Sequence, residues 1–272
     1  MKKCIVLKGD IIWTESPDGF RYQENGYLAV EDGLVRGVYA SAPEGEYELL
    51  DFTGSIIAPG LSDLHVHAPQ HQFAGLFMDE ELLEWLNAHT FPYEARFSDT
   101  EYAENAYRSF VAELASGATT RAAVFATIHR RSSLILMRQM ESAGLRGYVG
   151  KVSMDRNSPD ILIEGTDEAI AEEEAFLEEA SRFSKVLPII TPRFIPSCSD
   201  SLLQWLGDKA IKDNLPVQSH LDENLSEVEW VKELCPWSRS YADAYGRFGL
   251  LGDTLTIMAH VVWPTEEEMD LL

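Results

Sequence analysis

Apolar and polar positions divide the chain into two parts with different periodicities. In residues 1–58, short runs such as KCIVLKGDIIW, GYLAVEDGLVRGVYA and EYELLDF have the composition of β-strands. Turn-forming residues separate these runs, at 17–19, at 24–26 and at 32–33. The pattern therefore predicts a small antiparallel β-sheet, which we expect to form a separate N-terminal subdomain.

From residue 59 to residue 272, strand-like runs alternate with helical ones. Several helical patterns open at Ser, Thr or Asn and close near Gly or Asn, and they cover 98–116, 132–143, 166–183, 199–214 and 224–234. The strand-like runs are LSDLHV, GATTRAAVFA, LRGYVGKVSM, KVLPIITPRF, LPVQSHL and TLTIMAH. Repeated β-α units predict a parallel sheet, either open or closed as a barrel. No glycine-rich phosphate loop follows a strand, which argues against a nucleotide-cofactor fold.

The composition restricts the classes of partner. Asp and Glu number 45 against 22 Lys and Arg, a formal net charge of −23. Such a surface repels the phosphates of nucleic acids and anionic lipids, so we expect neither nucleic acid nor a membrane as a partner. Cys4, Cys198 and Cys235 form no C-x-x-C pair, and the N-terminus has no signal-peptide pattern. These features predict a cytoplasmic protein.

Histidines gather at the ends of predicted strands, where a βα barrel has its active site. His65 and His67 share one face of their strand, and His220 and His260 end two later strands. Each histidine alone could be a core or edge residue, and Glu223 could simply stabilise the start of a helix. Neutral imidazoles on rigid strand ends are good metal ligands. Without a metal site, each of these separate explanations would have to hold at the same time, and chance rarely places so many such residues together. The sequence therefore predicts a metal site.

Longer blocks carry a resemblance to a known family. PGLSDLHVHAPQ resembles the P-G-[LF]-x-D-x-H-x-H signature of the amidohydrolase superfamily, whose members build a metal site inside a distorted TIM barrel. Five further blocks resemble the guanine deaminases of that superfamily: LLEWLNAHTFPYEARF, FATIHRRSSLIL, GKVSMDRN, TPRF and QSHLDEN. The resemblance runs from about residue 59 to the end, and the N-terminal sheet is consistent with it.

The resemblance implies an α/β fold with a distorted TIM (β/α)8-type barrel over residues 59–272 and a small, incomplete β-sheet subdomain over residues 1–58. The superfamily's last metal-site residue is an aspartate at the end of the eighth strand. This chain ends at Leu272, soon after the sixth strand, and Asp270 lies in a predicted helix. We therefore expect a barrel truncated after its sixth strand, in a fragment, a truncated product or one part of an assembly.

The resemblance also implies roles for individual residues. One Zn²⁺ per chain, or Fe²⁺ in its place, would be held by His65, His67 and His220. The catalytic residues would be Glu223, as a proton shuttle, and His260, which would orient the attacking water. The residues implied for substrate binding are Gln70, Arg193, Phe194, His67 and Trp85. For Trp85, packing in the core is an equal interpretation.

The activity implied is hydrolytic deamination of guanine to xanthine and ammonia by a metal-activated water, carried out by a homodimer. Two alternatives stay open. One is another amidohydrolase deaminase acting on a pterin, cytosine or triazine-type ring. The other is a catalytically inactive, truncated scaffold.

Overall fold

The computed structural model describes residues 4–77 and 79–272. The chain separates into two compact units, one extending to Leu61 and one beginning at Ser62. Among the described helices, none combines the length and the apolar character that crossing a bilayer requires.

The N-terminal unit is a four-stranded sheet in the order β3-β2-β1-β4. Its strands are β1 (Cys4–Ser16), β2 (Gly19–Glu31), β3 (Leu34–Tyr39) and β4 (Glu48–Ile57). The pairs β1–β2 and β2–β3 are antiparallel, but β1–β4 is parallel. The prediction of an antiparallel sheet was therefore wrong for β4. The chain after β3 leads to the outer edge of β1, where β4 runs parallel to β1.

One predicted turn of this unit is also wrong. Asn25 lies inside β2, with a left-handed φ of 45°, and its N–H donates to the Asp10 carboxylate at 2.9 Å. The β1–β2 register shifts between Gly9 and Ile11, opposite this point. The Asn-Gly signal therefore produces a β-bulge within a long hairpin and not a chain reversal.

In the second unit, short strands alternate with helices. The strands are β5 (Leu61–His67), β6 (Thr119–Phe125), β7 (Arg146–Gly150), β8 (Val152–Ser153), β9 (Val186–Pro188), β10 (Thr191–Pro192), β11 (Val217–Leu221) and β12 (Thr256–His260). They form sheets in the orders β5-β6-β7-β9, β10-β8 and β11-β12. The ladders β6–β7, β7–β9, β8–β10 and β11–β12 are parallel, so the predicted parallel α/β architecture is confirmed.

Helices follow most of these strands. They are α1 (Leu82–Trp85), α2 (Phe91–Ala95), α3 (Thr100–Ser116), α4 (Arg130–Ser142), α5 (Thr166–Ala180), α6 (Asp200–Asp213), α7 (Leu225–Leu234), α8 (Tyr241–Arg247) and α9 (Glu266–Met269). The five predicted helices correspond to α3–α7. Their ends are set by caps such as the Asp99 carboxylate, which accepts from the Glu101 N–H at 2.8 Å.

The sequence pattern did not predict the short helical turns over residues 82–98, which precede α3. A π-helical turn (Leu86–Thr90) joins α1 to α2, and a 3₁₀ turn (Arg96–Ser98) follows. Changes of helical type break the 3.6-residue apolar period, so no single amphipathic pattern marks the segment.

Among the described residues, the two largest of three apolar clusters hold the strands in place. One lies around α3, α4 and β6 and contains Tyr107 and Leu136, which are fully buried. The other lies around α6, α8 and β11 and contains Leu206 and Tyr245, also fully buried. Helices pack on the strands and hold them rigidly. Polar side chains at the strand ends therefore project from fixed positions.

Candidate metal centre and active site

The four histidines predicted for the site lie together. The ring of His65 lies 5.0 Å from that of His67, 4.9 Å from that of His220 and 4.9 Å from that of His260. Ring nitrogens of His65, His220 and His260 lie within 4.8 Å of one another. The Nε2 atoms of His67 and His220 are 2.9 Å apart. The four rings therefore lie together, but the set of mutually close nitrogens contains His260 and not His67, whereas the resemblance implied His65, His67 and His220 as ligands.

The protein sets which nitrogen of His220 is free. Its Nδ1–H donates to the Arg193 carbonyl at 2.6 Å, which leaves the Nε2 lone pair facing His67. The Nδ1 atoms of His65 and His67 are buried and have no protein partner within the described part of the chain. Several imidazoles oriented in this way, with nitrogens that the protein does not satisfy, fit a zinc-type cation.

Burial keeps these imidazoles neutral. Desolvation, with His260 and Arg193 adding to it, lowers the pKa of His65 to about 4. Desolvation also holds the pKa values of His67 and His220 well below their usual range, and the neighbouring histidines and the Arg193 guanidinium add to this effect. For His220, the hydrogen bond to the Arg193 backbone opposes the lowering of the pKa. Neutral imidazole is the form that binds a metal, so the site needs no proton release from these rings at neutral pH.

Phe125 was not among the predicted site residues, yet it contacts three of the histidines. It ends β6, is 1% exposed, and its ring lies 5.0 Å from His65, 4.6 Å from His67 and 4.7 Å from His220. The sequence feature that could have identified Phe125 as a site residue is its position at the end of a strand next to β5. The ring forms an apolar floor that limits the rotation of the imidazoles.

Glu223 lies between β11 and α7, beside the histidines. Its Oε2 is 3.4 Å from Nε2 of His260. The capping box of α7 holds the local backbone, because the Glu227 carboxylate accepts from the N–H groups of Glu223 and Asn224 at 3.1 and 3.3 Å. Burial, together with the Glu227 charge, raises the pKa of Glu223 to about 7, while Arg193 opposes the rise. A carboxyl that titrates near neutrality can both accept and donate a proton.

A tight turn after β12 positions His260. His260 and Val261 have left-handed φ values of 76° and 51°. The Val261 N–H donates to the Leu221 carbonyl at 2.8 Å, so the chain folds back onto the end of β11. Such a conformation is unfavourable for a β-branched residue, and strain of this kind often lies at functional sites.

A cavity of about 120 Å³ lies beside the histidines. All nine predicted site residues line it: His65, His67, Gln70, Trp85, Arg193, Phe194, His220, Glu223 and His260. A wider cavity of about 630 Å³, along the segment that follows β5, is lined by three of these histidines, His65, His67 and His260. His71 lines the wider cavity, and its Nε2 lies 2.7 Å from the Glu113 carboxylate.

Arg193 enters the cavity wall from the end of β10. Its Nη1 donates to Oε2 of Glu94 at 2.7 Å, and the two side chains are 3% and 0% exposed. The guanidinium carbon lies 5.0 Å from the centre of the Phe91 ring. Glu94 lies in α2 and was not a predicted site residue, because nothing local distinguishes it from a surface carboxylate.

A family model described as the amidohydrolase family matches residues 56–272. The chain belongs to the amidohydrolase family. This confirms the resemblance based on the His65–His67 block.

This amidohydrolase is also similar to individual proteins of known name. A guanine deaminase of Dictyostelium discoideum is 41% identical over 226 residues, which cover 82% of this chain and 50% of the relative. A guanine deaminase of Escherichia coli is 35% identical over 267 residues, which cover 95% of this chain and 60% of the relative. This amidohydrolase thus spans only about half to three fifths of the length of these curated relatives.

A solved structure has the same arrangement of the backbone. The crystal structure of guanine deaminase from C. acetobutylicum, with guanine bound in the active site, superimposes with a TM-score of 0.96 at 42% identity. The match covers 99% of this amidohydrolase and 65% of that chain.

Proposed function

We propose that this amidohydrolase converts guanine and water to xanthine and ammonia. One observation carries the proposal: a single cavity is lined by four converging histidines, by a carboxyl that titrates near neutrality, and by donors for a flat heterocycle. Similarity to guanine deaminases, including one with guanine bound, supports the choice of substrate.

In this proposal His65, His67 and His220 hold one Zn²⁺. Their neutral nitrogens and the fixed tautomer of His220 support this ligand set. Fe²⁺ suits the same nitrogen donors. When bound, the metal ion supplies a water that is activated near neutral pH.

Glu223 is the proposed proton carrier. It takes one proton of the attacking water and delivers it to the ring nitrogen beside C2, and the C2 carbon becomes tetrahedral. It then takes the second proton and delivers it to the amino group, so that the C–N bond breaks and ammonia leaves. His260, 3.4 Å from the Glu223 carboxylate, orients the water and the carboxylate.

The purine is held by residues on the opposite wall of the cavity. Arg193 and Gln70 donate hydrogen bonds to the ring, as does the backbone of Phe194. Trp85 and the Phe194 ring cover its apolar faces. The shared cavity and the burial of Arg193 and Phe194, which are 2% and 6% exposed, support this arrangement.

The family resemblance supports the remaining assignments. We assign residues 59–272 to a distorted (β/α)8-type hydrolase barrel, and residues 1–58 to its β-sheet subdomain. A homodimer is the proposed assembly, which light scattering of the purified chain tests.

The decisive experiment is guanine turnover by the zinc-loaded 272-residue chain, followed by ultraviolet absorbance as xanthine forms. Glu223→Gln should lower kcat by about 100-fold or more, because the proton carrier is lost. The matched control is Glu233→Gln, an exposed change in the adjoining helix α7, which should leave kcat unchanged.

Zinc content is measured for each variant. Turnover of a pterin, cytosine or triazine, without turnover of guanine, would assign a different ring to the same site. A zinc-bound chain that neither turns over nor binds guanine would contradict the proposal. So would a Glu223→Gln variant as active as the unaltered chain.

A further inference from the structure

Arg193, which lines the proposed purine site, forms an ion pair with Glu94 that is almost completely buried, at 3% and 0% exposure. The Oε1 atom of Glu94 is buried without a hydrogen-bond partner among the described residues. The carboxylate therefore has Arg193 as its dedicated partner. Desolvation makes such a pair expensive to form, so fold stability alone explains it poorly.

Arg193 links this pair to the metal centre through its backbone. Its carbonyl accepts from His220 Nδ1 at 2.6 Å and from the Ser219 hydroxyl at 3.2 Å. The backbone is thus held on one side by the end of β11. The side chain is held on the other side by α2, through Glu94 and through Phe91 at 5.0 Å.

This arrangement restricts the orientation of the guanidinium. A guanidinium has five N–H donors, and within the described chain Glu94 is the side chain to which that of Arg193 donates. With one Nη held at 2.7 Å and the plane resting near the Phe91 ring, the remaining donors have a fixed direction. Arg193 lines the same cavity as Glu223 and His260.

The pair also changes the charge of the cavity. The Arg193 guanidinium brings a positive charge to the wall of the cavity. Without a counter-charge, a buried cation would favour an anionic ring over a neutral one. Guanine is neutral in neutral solution, whereas xanthine loses a proton more readily. The paired carboxylate offsets the charge of the guanidinium. The remaining N–H groups of the guanidinium stay available as hydrogen-bond donors.

We propose that Glu94 is a positioning residue that orients the Arg193 guanidinium and offsets its charge, so that the site selects neutral purines over anionic ones. This inference rests on the proposed function, because it assumes that a purine occupies the cavity beside Arg193.

The test uses the zinc-loaded full chain and three quantities: KM for guanine, kcat, and the ratio of inhibition constants for two oxopurines. Hypoxanthine is neutral at neutral pH and urate is an anion there. Glu94→Gln should raise KM about tenfold or more with a smaller change in kcat, because a charge-assisted contact to Arg193 is lost. It should also strengthen inhibition by urate relative to inhibition by hypoxanthine, by about tenfold or more.

Two further variants separate the roles. Glu94→Asp keeps the charge but shortens the side chain, so KM should rise while the urate-to-hypoxanthine ratio stays unchanged. Glu164→Gln breaks another buried pair, Lys151–Glu164 at 2.9 Å with exposures of 0% and 8%, away from the cavity. It should lose a comparable amount of stability, measured by urea unfolding, with KM and the ratio unchanged.

The outcomes distinguish the two proposals. If the unaltered chain neither turns over nor binds guanine, the proposed function fails. If it is active while Glu94→Gln and Glu94→Asp keep its KM and ratio, the inference alone is overturned. Equal changes of KM and of the inhibition ratio in Glu94→Gln and Glu164→Gln would also overturn it, because Glu94 would then have a purely structural role. Should Glu94→Gln fail to fold, an unchanged KM in Glu94→Asp would still overturn the positioning role.

Discussion

At the scale of single residues, the second unit contains carboxyl groups in places that disfavour their charge. Glu173 in α5 is fully buried, and its Oε1 has no hydrogen-bond partner in the described part of the chain. Burial raises its pKa to about 7, and the Lys151 ammonium opposes the rise. Burial raises the pKa of Asp222 to about 7 as well. Titration of these residues makes the stability of the protein depend on pH, separately from any effect of pH on the proposed reaction.

Glu173 should make the protein less stable as the pH rises from about 5 to about 7. Between its unfolded and folded pKa values the native state binds more protons than the unfolded chain, so the free energy of unfolding falls with rising pH and levels off above about pH 7. The fall due to Glu173 is on the order of 3 kcal/mol.

Urea unfolding at about pH 5 and about pH 8 measures this difference. In Glu173→Gln the difference should shrink, because the titrating group is gone. Glu174→Gln, an exposed change one position along the same helix, should keep it. An unchanged difference in Glu173→Gln would show that other carboxyls carry the pH dependence.

At the scale of elements, the site depends on where strands end and helices begin. Asn224 caps α7 and accepts from the Ser226 N–H at 2.9 Å, directly after Glu223. Ser240 caps α8 in the same way, accepting from the Asp243 N–H at 3.2 Å. The two caps are similar in kind, but only the first adjoins a proposed catalytic residue.

Asn224→Ala and Ser240→Ala should each cost about 1 kcal/mol of stability, the usual effect of losing a helix cap. Asn224→Ala should also lower guanine turnover by about tenfold or more, because the backbone that positions Glu223 is loosened. Ser240→Ala should leave turnover unchanged. Thermal unfolding and steady-state kinetics measure the two effects, and equal turnover in both variants would contradict the proposed link.

At the scale of the whole molecule, the converging histidines come from three strands that are far apart in sequence, β5, β11 and β12. A metal ion bound to all of them joins chain segments that otherwise separate on unfolding. Binding to the native state alone therefore stabilises the fold by an amount that grows with the logarithm of the metal concentration.

Zinc at about 100 times its Kd should raise the free energy of unfolding of the metal-free chain by about 2.7 kcal/mol. Hydrogen exchange should slow in β5, β11 and β12 and stay unchanged in β1–β3, which belong to the other compact unit. His65→Asn should abolish the effect. His89→Asn, a histidine paired with Glu80 at 2.9 Å, should keep it, and loss in both variants would rule out the proposed centre.

The sequence by itself determined the features that depend on local pattern. Strand and helix periodicity, with caps at residues such as Asn224, predicted α3–α7 to within three residues at each end. The spacing of His65 and His67 placed both on one strand face, because side-chain direction alternates along a strand. The parallel α/β order and the family followed from the same local blocks.

Only the tertiary structure decided the rest. It joined β4 to β1 in parallel, placed Phe125 under three imidazoles, and brought Glu94 to Arg193 from 99 residues away in the chain. None of these contacts has a local signature, since an isolated Phe or Glu looks the same in a core, on a surface or in a site. Their roles arise from burial and from neighbours distant in sequence, which exist only once the chain has packed.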